Sequence, residues 1–143
     1  MGTKSIREIV ETACVTHLGN QGLTGVSIQP GLSLSVIDPP LIVASAETAS
    51  LIPELPQGLG NYSVSLQVMV FTQTDETDSQ ANHRARSEKV ASAFADIAGL
   101  KAVFSSGGDA TLYDVTFQSI QDSKGERAFG TTFLFELQCV LAP

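Results

Sequence analysis

The stretch Tyr62-Ser-Val-Ser-Leu-Gln-Val-Met-Val-Phe-Thr72 alternates along almost its whole length. Val64, Leu66, Val68 and Val70 fall on one side of an extended chain, and Ser63, Ser65, Gln67 and Met69 on the other. That two-residue period predicts a strand with one apolar and one largely polar face. Such a strand belongs to a sheet covered on one side, so the flanking sequence must supply the cover.

Upstream, Ser5 followed by Glu8 has the form of a capping box, and Ile6, Ile9, Val10, Ala13, Cys14 and Leu18 recur at helical spacing. Gly19-Asn20 supplies a stop, and His17 at the edge of the stripe reads as a packing histidine. Residues 22–60 are rich in Gly, Pro and Ser and contain two short extended runs, 32–37 and 41–44, separated by Asp38-Pro39-Pro40. Residues 45–60, with Pro53, Pro56, Gly58 and Gly60, read as an irregular protruding arm and the first place to look for partner contacts. Its apolar and proline residues Leu51, Ile52, Pro53, Leu55 and Pro56 are candidate interface positions.

Downstream, Asp75-Glu-Thr-Asp78 leads into a helix from Ser79 to about Ala98, with Asp78 or Ser79 as cap and Gly99 as terminator. Its apolar stripe is Val90, Phe94 and Ile97, with Arg84, Arg86, Glu88 and Lys89 outside. After Gly107-Gly108 comes a hairpin. Its first strand, 112–120, carries Tyr113, Val115 and Phe117 on one face, and Asp122-Ser-Lys-Gly125 forms the turn. The second strand, 127–141, is apolar on both sides and therefore central. The expected fold is α+β over residues 1–143 as one domain. It has a mostly antiparallel sheet of four to five strands, two helices packed on one face, and an extended hairpin or loop.

Composition bears on function. Apolar residues are 43% of the 143 and charged residues only 16%, against roughly 25% in an average soluble domain. A surface so poor in charge suits burial against neighbours. Net charge is −7, and no Lys or Arg occurs between Arg7 and Arg84 while eight acids do. That stretch repels phosphate, which disfavours tight nucleic-acid binding. No apolar run approaches the roughly 20 residues of a membrane span, and the charged start Lys4 to Glu8 is unlike a secretory signal. Cys14 and Cys139 each sit in an apolar pattern and read as free buried thiols.

Signatures of catalysis are missing. His17 and His83 are the only histidines, neither in a nucleophile motif, and no phosphate-binding or dinucleotide fingerprint occurs. Asp75, Glu76 and Asp78 could offer oxygen ligands to a cation, but the stretch lacks the Gly and distal Glu of a calcium loop, so solvated acids before a helix is the stronger reading. Asn82-His83-Arg84-Ala-Arg86 is a small basic cluster. Arg84 and Arg86 either balance the preceding acids or dock on a neighbour. The expectation is a non-enzyme without metal or cofactor.

The order of these landmarks resembles the tail terminator (tail completion) proteins of long-tailed bacteriophages and their neck-protein relatives. The resemblance runs from the N-terminal amphipathic helix through Val64-Ser-Leu-Gln-Val-Met-Val70 and the acidic lead Thr72-Gln-Thr-Asp-Glu-Thr77. It ends in the strand Thr132-Phe-Leu-Phe-Glu-Leu-Gln-Cys-Val140. It implies a homo-oligomer, a hexameric ring in the virion tail or neck, assembled in the host cytoplasm. The ring would join the tail tube protein to head-tail connector or neck proteins, with DNA passing non-specifically through the lumen and no membrane involved. It further implies that the 45–60 arm docks on a neighbour and that Asp75, Glu76 and Asp78 line the channel. Competing readings are a small-ligand-binding α+β domain with its site beneath the arm, and a dimeric adaptor whose open sheet face is a two-fold interface.

Overall fold

The alternating stretch is the middle strand of the sheet. In the computed structural model, residues 5–23, 25–31, 40–51, 61–125 and 128–141 are described. The elements are α1 (Ile6–Gly19), β1 (Ser27–Pro30), β2 (Leu41–Leu51), β3 (Asn61–Gln73), α2 (Ser79–Ala95), α3 (Ile97–Gly107), β4 (Ala110–Lys124) and β5 (Ala128–Leu141). The strand order is β1-β2-β3-β5-β4. Only β1 runs parallel to its neighbour; the other three pairs are antiparallel. The α+β architecture is as expected, with five strands and three helices among the described residues.

One face of the sheet makes the core. Val64, Leu66, Val68 and Val70 of β3 are fully buried, and their ladder partners include Ile42, Ala44 and Ala46 on β2 and Phe133, Phe135 and Leu137 on β5. Onto this face α1 lays its expected stripe, from Ile6 to Leu18, α2 adds Val90, Ala93 and Phe94, and α3 adds Leu100 and Phe104. Phe94 stacks on Phe135 with ring centroids 4.4 Å apart. Removing this apolar surface from water is what holds helices to sheet. The other side of β3, with Ser63, Ser65, Gln67 and Met69, stays half-buried. β5 lies between β3 and β4, as its two apolar faces suggested.

Several boundaries move. Of the arm expected over 45–60, Ser45 to Leu51 instead continue β2 against β3 around a bulge at residues 46–48, and residues 52–60 lie outside the described residues. Alternating small and polar residues there hid a strand whose pairing partner is long and regular. The expected strand at 32–37 lies outside the described residues. β1 was not anticipated; it holds a single strongly apolar residue, Ile28, and its Pro30 is tolerated because β1 is an edge.

The second helix does not end at Gly99. It breaks at Asp96, whose carboxylate accepts the Gly99 amide at 3.1 Å and caps a new helix, α3. Gly99 serves close packing instead: a Cβ there would lie 2.3 Å from Asp96 Oδ2 and 3.2 Å from His17 Cε1. Gly108 ends α3 in the left-handed region at φ 72°. Asp78 precedes α2 at φ 55° and its side chain makes no capping bond, contrary to expectation. The hairpin ladder continues through Asp122, Ser123 and Lys124, so most of the expected Asp122–Gly125 turn is strand; Gly125 N–H donates to Ala128 O at 2.9 Å.

Candidate functional site

β4 is an edge strand of 15 residues. α3 covers only its beginning, so Ala110 and Leu112 are buried and almost everything after them is exposed. Bulges after Leu112 and after Phe117 shift its register, which brings Val115, Phe117 and Ile120 opposite Leu137, Phe135 and Phe133 on the helix side of the sheet. The face expected to hold Tyr113 with Val115 and Phe117 is thereby split, Tyr113 being the extra residue of the first bulge. Among the described residues no helix covers this outer part of β4. Tyr113 is 59% exposed, Phe117 55% and Ile120 50%.

Between this hairpin and α2 runs a groove of about 560 Å³, whose lining includes Ile120, Phe129 and Phe133, with Arg84, Glu88 and Lys124 at its rim. Lys124 Nζ sits 5.5 Å from the Phe129 ring centre. Ser87 Oγ lines the groove, buried and without a hydrogen-bond partner among the described residues. A second hollow of about 640 Å³ lies between α1 and α3. Its histidine, His17, is buried with Nε2 2.7 Å from Ala93 O, and since a carbonyl only accepts, that nitrogen carries the proton. The smaller groove holds the richer chemistry.

His83, Asp122 and Thr131 line this groove, and they belong to a chain of polar side chains that continues behind it into β3 and the turn before α2. Thr131 of β5 donates to Asp122 of β4 at 2.7 Å. His83 of α2 holds Thr131 through Nε2 at 2.7 Å and Thr72 of β3 through Nδ1 at 2.9 Å. Arg86 donates to Thr72 at 3.0 Å and pairs with Glu76 at 3.2 Å, and Asn82 donates to Glu76 at 2.7 Å. Burial lowers the His83 pKa below its ordinary 6.5; Asp122 pulls it up and Arg86 pushes it down. Both imidazole nitrogens are engaged, so His83 offers no free lone pair in this arrangement.

The candidate residues named from sequence separate. Arg84 is exposed at the groove rim, whereas Arg86 is committed to Glu76 and Thr72. Glu76 is therefore turned inward, and Asp75 and Asp78 stay exposed. Leu51 ends β2, and Ile52, Pro53, Leu55 and Pro56 lie outside the described residues. No group of acids, histidines and cysteines fit to hold a metal ion forms among the described residues. Sequence reading missed Ile120 and the Thr72–His83–Thr131–Asp122 chain. The alternation of Thr72 with the core face of β3 was the one available signal. No protein-family model matches the chain, and no curated protein matches it in sequence.

Proposed function

We propose that this protein is a structural, non-catalytic ring subunit of a bacteriophage tail or neck. As a hexamer it closes the tail tube and joins it to the head connector, with DNA passing through the lumen. One observation carries the reading beyond the resemblance: a 15-residue edge strand presents Tyr113, Phe117 and Ile120 to solvent. A long edge with bare apolar side chains is a liability in a monomer and an asset in an interface. The low share of charged residues, 16%, points the same way.

Mass measurement on the purified protein, alone and with tail tubes, tests it. Six-fold rings by negative-stain imaging are the expected result. A monomer under both conditions overturns the ring reading, and a stable two-fold dimer favours the adaptor. The small-ligand reading draws on the groove beside His83 and on its Ser87 hydroxyl, unpaired among the described residues, but His83, Thr131 and Asp122 are bonded to one another rather than facing a ligand.

A further inference from the structure

We propose that His83 is a proton-sensitive latch, holding α2 to β3 and to the β4–β5 hairpin while its imidazole is neutral and loosening that junction when it is protonated. The proposal goes beyond the ring reading and does not depend on it.

Counting protons along the chain assigns the state. A carboxylate only accepts, so the Thr131 hydroxyl proton is spent on Asp122. Thr131 Oγ1 can then only accept from His83, which places a proton on Nε2. Arg86 is always a donor, so Thr72 Oγ1 accepts from it and is free to give its own proton to Nδ1. The direction runs Arg86, Thr72, His83, Thr131, Asp122, and every bond has one donor and one acceptor. The neutral Nε2–H tautomer is the form that completes it.

A second proton on the ring breaks this order. Nδ1–H would then point at Thr72 Oγ1, which already accepts from Arg86, and the Thr72 hydroxyl proton would lose its acceptor. Thr72 is 0% exposed, so water cannot take that proton. The charges around the ring are Arg86, Arg84 and, farther along the groove, Glu88 on α2, Glu76 before α2, and Asp122 and Lys124 on β4; β5 contributes Thr131 and the Phe129 ring, 5.8 Å from the imidazole centre. Asp122 would welcome an imidazolium but is reached only through Thr131, while Arg86 opposes it from the other end. Because Thr131 and Asp122 belong to the hairpin bearing Phe117 and Ile120, the latch sets where that apolar surface stands relative to α2.

The sign of the pH effect follows. The folded chain prefers neutral His83, so below about pH 6.5 the unfolded or opened form binds the extra proton. The latch acts fully above 6.5 and fails as pH falls below it.

Histidine-labelled wild-type protein, followed by NMR from pH 7.5 to 5.5, tests the assignment without any variant. Nε2–H with a bare Nδ1, and a midpoint under 6.5, are expected; the other tautomer, or a midpoint at or above 6.5, overturns it. Amide exchange in the first turns of α2, corrected for intrinsic rates, should show the opening constant rising by up to about tenfold per pH unit below 6.5. In H83Q this dependence should vanish, and its persistence overturns the latch. Should H83Q not fold, Thr72→Val serves: loss of the hydroxyl that serves Nδ1 should raise the His83 midpoint, and an unchanged midpoint overturns the proposal.

Discussion

Glu11 is 1% exposed on α1, and its carboxylate accepts the Ala46 amide at 2.7 Å. One turn earlier, Arg7 Nε donates to the Ala46 carbonyl at 2.7 Å. Ala46 stands at the bulge where β2 loses register with β3, so α1 binds backbone groups where the ladder is irregular. Glu11→Ala should therefore cost at least about 1–3 kcal/mol in urea unfolding, by leaving a buried amide unpaired. Glu11→Gln keeps an acceptor oxygen and should cost less; equal losses would deny the amide bond its importance. Glu11 and Arg7 were legible in the sequence only as charges flanking a stripe, because their partner is backbone 35 or more residues away. The thiols were legible. Cys14 and Cys139 are free and buried; burial, then Cys139 and Glu11, raises the Cys14 pKa well above normal, and burial takes Cys139 to about 12. Native protein at pH 8 should hence resist maleimide until denaturant is added, and prompt labelling would show that the α1–β5 packing opens readily.

Among the elements, α2 and α3 give the clearest contrast between local signal and outcome. The sequence pattern offered one helix closed by a glycine. The chain instead turns at Asp96 so that Phe94 meets Phe135 and Leu100 and Phe104 reach the sheet near β4. Glycine has two uses, ending a helix and permitting close approach, and at Gly99 only the packing beside Asp96 and His17 distinguishes them. Removing the cap by Asp96→Ala should cost about 1 kcal/mol, with the loss of helical signal confined to α3 by amide exchange. Phe135→Ala should cost about 3–5 kcal/mol, since the ring is buried at the junction of β5, α2 and β4. Strand β3 and helix α1 were read nearly to the residue because each combines a strong period with clear ends. β1 escaped because four residues carry no period, and the length of β4 escaped because two bulges disrupt its alternation.

At the scale of the whole molecule, the proposed association rests on β4. Phe117→Glu and Ile120→Glu place charge on side chains that are already half in water, so unfolding midpoints should change little. Mass by sedimentation should instead fall from oligomer to monomer, and an unchanged assembly would move the interface elsewhere on the molecule. By itself, the sequence determined which faces are apolar: the stripe of α1, one side of β3, both sides of β5, and a stretch from Arg7 to Arg84 without a cation. Periodicity carries that information because burial acts on each element separately. Tertiary structure alone decided which apolar side chains remained bare, and which polar ones met. Phe117 and Phe133 look alike in the sequence, yet one is buried and one exposed, because the helices reach β5 but stop short of the outer half of β4. Thr72, His83, Thr131 and Asp122 likewise come together only when α2 lies across β3 and the hairpin, since hydrogen bonds act over about 3 Å of space, however far apart along the chain their partners lie.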